Sequence, residues 1–440
     1  MNLTYNIKDR PAPAQTVLFA LQQLLAIMAA TIAVPVIVGN GMSQTAALFG
    51  AGVGTLVYLC FTKFQSPVFL GSSFAFLGSM STAFASAVSM QAGYIGLMLG
   101  AAFAGLVYVI LALVVRTVGT DWINRLMPPV VIGPTVSIIG LSLAGNAVSD
   151  LTTNGGDTTS TYVSIVCGLV TLGVTVMCSA FGKKLTKMIP FILGILAGYA
   201  VATLFTVLGQ LLGMESLMVI DFTRFQNITW VPDFTFLTAA SGLKDLTPSY
   251  LATVAVAYMP VAFVVFAEHI ADHKNLSSII DQDLLKTPGL HRTLLGDGVG
   301  SMIGAIFGGC PNTTYGESVG CVAISGNASV ITIIYTAVLA MLISFFAPFS
   351  AFLSTIPSCV MGGVCFALYG FIAVSGLKML QGVDLNDNRN LFVVSVILIA
   401  GVGGMTVRFG AFTITEVACA LILGIVTNIY LSAGKEEAKK

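Results

Sequence analysis

Charge is what this chain has least of. Only 9% of its 440 residues are charged, nineteen of each sign, while 56% are hydrophobic. A soluble domain carries about 25% charged residues, so the composition excludes one and points to a chain bathed in lipid. The zero net charge supplies no electrostatic footprint for a nucleic acid. Metal and redox chemistry are equally short of ligands. The three histidines stand without a cysteine pair, and the eight cysteines fall in or beside apolar segments with no CxxC among them. The cysteines read as small packing residues, and neither a metal site nor a haem or flavin cofactor is expected. No HExxH string occurs, which argues against an intramembrane metalloenzyme.

Apolar runs fill the rest. They lie near 16–39, 44–62, 68–88, 93–116, 127–147, 162–182 and 188–213, then near 249–270, 293–309, 313–328, 329–350, 355–377, 391–407 and 411–432. A helix needs about 20 residues to cross a ~30 Å hydrocarbon core, and most runs come close to that length. The expected fold class is therefore an all-α polytopic membrane protein with fourteen transmembrane segments. Residues 214–248 form the only long polar interruption, and their alternating apolar residues suit an external ribbon or an irregular loop. The opening stretch MNLTYNIKDRPAPAQ shows neither the apolar core nor the cleavage site of a signal peptide.

Seven runs per set is an odd number, so the halves would enter the membrane in opposite orientations, a 7+7 inverted repeat. Basic residues test the count, because they favour the cytoplasmic face. With the N-terminus inside, that face collects Lys8, Arg10, Lys63, Arg116, Arg125, Lys183, Lys184, Lys187, Lys274, Lys286, Arg292, Lys378, Arg389, Lys435, Lys439 and Lys440. The other face receives Arg224, Lys244 and Arg408. Sixteen against three predicts two cytoplasmic termini and an external 214–248 loop.

The third run of each half is interrupted in a matching way, by GSSFAF at 71–76 and NTTYGE at 312–317. Polar, proline-flanked backbone at membrane depth is tolerated only inside protein or beside a watery cavity. Paired breaks in an inverted repeat mark a transporter's substrate site. Spans 3 and 10 should thus be broken by short extended segments, each followed by a half-helix whose first N–H groups face the cavity. Four carboxylates fall within or at the ends of the runs: Glu268, Glu317, Glu416 and Asp297. Glu268 and Asp272 are four residues apart and share a helical face, with His269 turned roughly 100° away. A carboxyl withdrawn from water beside another holds its proton more readily, so this pattern suits proton coupling. Glu416 reads as structural, Asp297 as a helix cap, and Asp272 with His273 either as site residues or as the cytoplasmic end of a helix.

At these residues the chain resembles the nucleobase–ascorbate transporter family (nucleobase:cation symporter-2), most of all its bacterial uracil permeases. LGSSFAF, AEH at 267–269, KTPGLHR at 286–292, PNTTYGE, VMGGVCFALYG at 360–370 and VDLNDNRN at 383–390 carry the resemblance, which runs from about Asp9 to Ala433. It implies a core domain of spans 1–4 and 8–11 (residues 1–116 and 249–350). A gate domain would comprise spans 5–7 and 12–14 (117–213 and 351–440, including the cytoplasmic tail), with 214–248 as an extracellular loop. It further implies a homodimer through the gate domain, in the inner (plasma) membrane. Uracil would be held by Glu268, Glu317 and the main-chain amides of Phe74 and Gly316, with Tyr315 and Phe74 as aromatic walls for the ring and Tyr369 as a gate-side tyrosine. Protons would ride on Glu268, Glu317 and Asp272, the last standing where some uracil permeases have a histidine. The chain departs from the family at Gln22–Gln23, in place of a glutamine–histidine pair, and at Ser318 and Ser325, in place of asparagine and threonine. The implied function is uracil import by proton symport, without a cofactor. A purine permease on the same scaffold is the alternative. An anion transporter of the related fold would favour a cavity free of acidic side chains.

Overall fold

Helices begin where the sequence offers caps and prolines. The computed structural model describes residues 3–119, 122, 126–153, 158–183, 185–226, 229–409 and 412–437. Arg125, Lys184, Lys439 and Lys440, counted above on one face, lie outside the described residues. The first half contains α1 (Pro13–Val38), α2 (Gln44–Phe61), β1 (Leu70–Ser72), α3 (Leu77–Ala85) and α4 (Met90–Val118). It continues with α5 (Pro129–Ser142), α6 (Ala144–Thr152), α7 (Thr161–Phe181) and α8 (Pro190–Leu212). Ser43 and Ser89 accept hydrogen bonds from Ala46 N and Ala92 N, capping α2 and α4. Proline opens α1, α5 and α8, where its missing N–H costs nothing.

The second half contains α9 (Pro248–Ile280), α10 (Leu290–Gly308), β2 (Asn312–Thr314), α11 (Gly316–Ser325), α12 (Val330–Ile343) and α13 (Ala347–Thr355). It ends with α14 (Ser358–Lys378), α15 (Asn388–Val402), β3 (Val407–Phe409), β4 (Phe412–Ile414) and α16 (Glu416–Glu437). Among the described residues each apolar run carries a helix or a broken helix, and the last two also carry a strand pair where they adjoin. Among the described residues, eight helices, with α5 and α6 taken together, are long and apolar enough to cross a bilayer. The pair α12–α13, bent by 81°, makes a ninth if it is one span.

Two readings change. Residues 214–248 form no ribbon among the described residues; short helical turns occupy Glu215–Leu217, Phe222–Gln226 and Thr235–Ala239. The hairpin sits elsewhere: β3 and β4 pair Val407 with Ile414 and Arg408 with Thr413, at the junction of the last two apolar runs.

The extended breaks expected at 71–76 and 312–317 are present, and they pair with each other. β1 and β2 run antiparallel, with Leu70 opposite Thr314 and Ser72 opposite Asn312. Three-residue strands leave backbone groups over, and side chains take them up. Leu70 N–H donates to Thr55 Oγ1 (2.9 Å), Asn312 N–H to Ser301 Oγ (2.9 Å) and Phe69 N–H to Ser318 Oγ (3.0 Å). Helices α1–α4 pack chiefly with α9–α12, and α5–α8 with α14–α16; contacts between the two groups are sparser.

Small residues let α2 and α10 touch backbone to backbone. A Cβ on Gly54 would lie 2.7 Å from the Gly300 carbonyl, and one on Gly300 would lie 2.6 Å from the Gly54 carbonyl. Neither carbonyl can yield without unwinding its helix. Gly54→Val or Gly300→Val should therefore cost at least the ~1–3 kcal/mol typical of overpacking. Thermal unfolding of the detergent-solubilised variants would show it as a marked drop in melting temperature. An unchanged melting curve would contradict this contact.

Candidate functional site

α9 turns two different faces to its surroundings. Glu268, Ala271, Asp272 and Asn275, at i, i+3, i+4 and i+7, line a cavity of about 360 Å³. His269 and His273 point the other way and are fully buried. The helix runs on to Ile280, so Asp272 and His273 do not mark its end.

Opposite α9 stands the half-helix α11, which contributes Gly316, Glu317 and Gly320 to the same cavity. The break at β2 makes this possible: it ends in extended backbone at Tyr315, so α11 starts at mid-chain with its first-turn amides lacking intrahelical acceptors. Glu317 in that first turn is well placed against the positive helix end. Thr314 on β2 donates its hydroxyl hydrogen to Asp272 Oδ2 (2.9 Å), tying the strand to α9. Three carboxyl groups thus share one cavity. The far wall comes from the other helix group, with Val136, Ser179, Phe191, Phe371 and Ser375, and with Lys187 from a short turn before α8. The volume falls within the usual range for small-molecule sites.

Of the residues expected at the site, Glu268, Glu317, Gly316 and Asp272 line the cavity, and Phe74, Tyr315 and Tyr369 do not. The Tyr315 ring lies over Gly71 and its hydroxyl donates to the Ser72 carbonyl (2.7 Å), so it braces the strand pair. Phe74 and Tyr369 meet edge to face, 6.0 Å between centroids, and bridge the two helix groups. Asp297 lies inside α10, seven residues past its start, and is hydrogen-bonded to His269; it is no cap, because its partner comes from another helix. Glu416 begins α16, next to the half-helix α3: a Cβ on Gly78 would lie 3.5 Å from its Oε1. A second cavity of about 380 Å³ opens at the other ends of α1 and α14, lined by Pro35, Gln44, Asp221, Arg224 and Ser358 among others. There the Thr223 hydroxyl and amide donate to Asp221 and hold its carboxyl below the usual aspartate range.

The two departures from the family pattern meet each other. Gln23 Nε2 donates to Ser318 Oγ (2.5 Å), which also accepts from Phe69 N–H (3.0 Å), and both side chains are buried. Ser318 completes a G-x-S-x-G string, residues 316–320, but these bonds run to Gln23 and Phe69 rather than to a histidine. Its oxygen fastens α11 to α1 and to the approach of β1, one residue after Glu317. Ser318→Ala would strand the buried Phe69 amide, at about 1–3 kcal/mol, and leave Gln23 Nε2 only its longer bond to the Ser318 carbonyl (3.4 Å). The expected result is a lower melting temperature together with weakened ligand binding; a loss of neither would remove this tie from the site.

Comparison with known proteins follows the same outline. The Permease family (Xan_ur_permease) matches residues 14–409. The uracil permease of Bacillus subtilis (strain 168) is 40% identical over 441 residues, covering 98% of this chain and 96% of that protein. The uracil permease of Bacillus caldolyticus is 37% identical over 439 residues, covering 99% and 96%. The transmembrane domain of a cyanobacterium bicarbonate transporter, BicA, superposes with a TM-score of 0.63 over 97% of this chain and 100% of that one. At 15% identity that likeness is one of fold alone.

Proposed function

The chain belongs to the Permease family, as a multi-pass membrane transporter rather than an enzyme, and we propose that it imports uracil together with protons. One observation carries the reading: Glu268 and Glu317 face one cavity beside the amide end of a broken helix. Uracil presents two N–H donors, which carboxylates accept, and two carbonyls, which half-helix amides satisfy. Gly316 at the start of α11 supplies one such amide; the second would come from Phe74, in the short turn that leads into α3, which does not line the cavity in this conformation. Phe74 and Tyr369 join the two helix groups by their ring contact, and Tyr315 keeps the strands in register. The uracil permeases of the two Bacillus species support the choice of ring. The cavity volume also admits a purine, so size does not choose between them; a cavity lined by three carboxyl groups disfavours an anion.

Fourteen spans in a 7+7 inverted repeat give this site its motion. The core domain (1–116 and 249–350) moves against the gate domain (117–213 and 351–440), which also forms the homodimer contact in the plasma membrane. With both termini cytoplasmic, Lys187, Asn275 and Met379 mark the cytoplasmic mouth of the cavity, and the conformation is inward-open. Asp283→Cys and Trp230→Cys, each in a cysteine-free version, test that orientation. An impermeant thiol reagent should label position 230 in intact cells, and 283 only after permeabilisation; the reverse would invert the topology.

Uptake of labelled uracil, in competition with xanthine and with or without a proton uncoupler, tests the function. Uracil should accumulate without sodium, and the uncoupler should stop accumulation while leaving downhill exchange. Preferred uptake of xanthine would move the protein to the purine branch.

A further inference from the structure

Behind the cavity, on the opposite face of α9, lies a second cluster of ionisable groups that uracil does not touch. His269 Nδ1 is 2.8 Å from Asp297 Oδ2, and its Nε2 is 2.9 Å from Thr293 Oγ1. His269, Asp297 and Thr293 are all buried. One turn along α9, His273 stacks on His269 with ring centroids 4.1 Å apart. Its Nδ1 donates to the His269 carbonyl (2.8 Å), and its Nε2 meets the Tyr58 hydroxyl (2.8 Å), itself 2.7 Å from Ser66 Oγ. From α4, Tyr108 sets its ring edge-on to His269 at 6.4 Å. Glu268 and Asp272 are the titratable groups on the helix's other face.

Counting hydrogens shows what the cluster holds. Asp297 Oδ1 is buried without a partner among the described residues, so the carboxyl is supported by His269 alone. A bare carboxylate beside a neutral imidazole would be an uncompensated buried charge, which is strongly disfavoured. The Thr293 hydroxyl lies 3.0 Å from the Leu290 carbonyl, which can only accept. With the hydroxyl hydrogen there, the Thr293 oxygen accepts from His269 Nε2–H. Nδ1 then either donates a second ring hydrogen to the Asp297 carboxylate or accepts one from the Asp297 acid. Both arrangements contain one proton more than a neutral imidazole and a carboxylate. When that proton leaves, the Thr293 hydroxyl turns to donate to the bare Nε2, and Nδ1–H donates to Asp297. Neither ring nitrogen loses its partner in either state.

We propose that His269, Asp297 and Thr293 form a buried proton-holding site, separate from the cavity carboxylates and loaded with one proton in this conformation. His273 limits the load, since two cationic rings at 4.1 Å would repel each other strongly in a medium of low dielectric. Its Tyr58 and Ser66 partners can exchange donor and acceptor in the same way. The site's role in transport rests on the symport reading; the presence of the proton does not.

Nitrogen NMR of the full-length protein in lipid, labelled with ¹⁵N at histidine only and without substrate, reads the site directly. The chain has three histidines, and His291→Gln and His273→Gln versions assign the signals. At neutral pH His269 should carry hydrogen on Nε2, and as pH is raised it should pass to a form with bare Nε2 and hydrogen on Nδ1. Asp297→Asn, which cannot hold the proton, should lose that conversion. A bare Nε2 throughout in the parent protein would overturn the proposal, as would an unchanged conversion in Asp297→Asn. If that variant does not fold, the parent spectra alone decide. The spectra need no uracil, so a failed transport assay and a failed proton site would be told apart.

Discussion

Replacing Glu317 by alanine is expected to abolish uracil binding while leaving the fold in place. The side chain lines the cavity in the first turn of α11. Its loss from that helix end costs roughly 0.3–1 kcal/mol of stability. Binding loses more, because a ligand N–H taken out of water would find no acceptor. A hydrogen bond to a charged group contributes about 1.5–3 kcal/mol, and leaving a donor unpaired adds to that. An affinity loss of roughly 100-fold or more follows. Binding of labelled uracil to the purified protein, beside its melting temperature, separates the two effects. Glu317→Gln, which keeps one acceptor oxygen, should fall between parent and alanine. Affinity within a few-fold of the parent in Glu317→Ala would take this carboxylate out of the site.

How much of this site could be read in the sequence depended on how local its signals are. The strand breaks were legible because GSSFAF and NTTYGE violate what lipid demands of a helix, and no other segment violates it twice in matching places. Glu268 and Asp272 were legible as one face because four residues is a local spacing. The β3–β4 hairpin was hidden, since VRF and FTI are apolar enough to be absorbed into neighbouring spans. Asp297 was misread because LLGDGVG looks like a cap, and its partner His269 lies 28 residues away in another helix. The cluster ADHKN mimics the exit of a helix from the membrane, although Asp272 and His273 stay inside α9 for about two more turns. Gln23 and Ser318 were visible singly as departures, but their pairing across 295 residues is a property of the fold. Lys187 gave no sign of lining the cavity of the carboxylates, because a basic loop residue is ordinary at a cytoplasmic surface.

The last expected result concerns Glu268→Gln, which should separate exchange from accumulation. The amide is nearly the same shape and its oxygen still accepts from a uracil N–H, so binding should persist at reduced affinity. The amide cannot take up and release a proton, so the coupled step should fail. A membrane potential of ~100 mV is worth about 2.3 kcal/mol per charge carried. One proton per uracil therefore supports a gradient of roughly 50-fold. In proteoliposomes with an imposed potential, the parent should approach that ratio and Glu268→Gln should settle near equal concentrations. Exchange of labelled for unlabelled uracil, which needs no net proton movement, should continue in the variant. Asp272→Asn, run beside it, asks whether the carboxyl held by Thr314 shares the proton; its accumulation should fall as well if the two act as a pair. Should Glu268→Gln accumulate uracil like the parent, Glu268 would be a binding residue only, and coupling would belong to Asp272, Glu317 or the His269–Asp297 site.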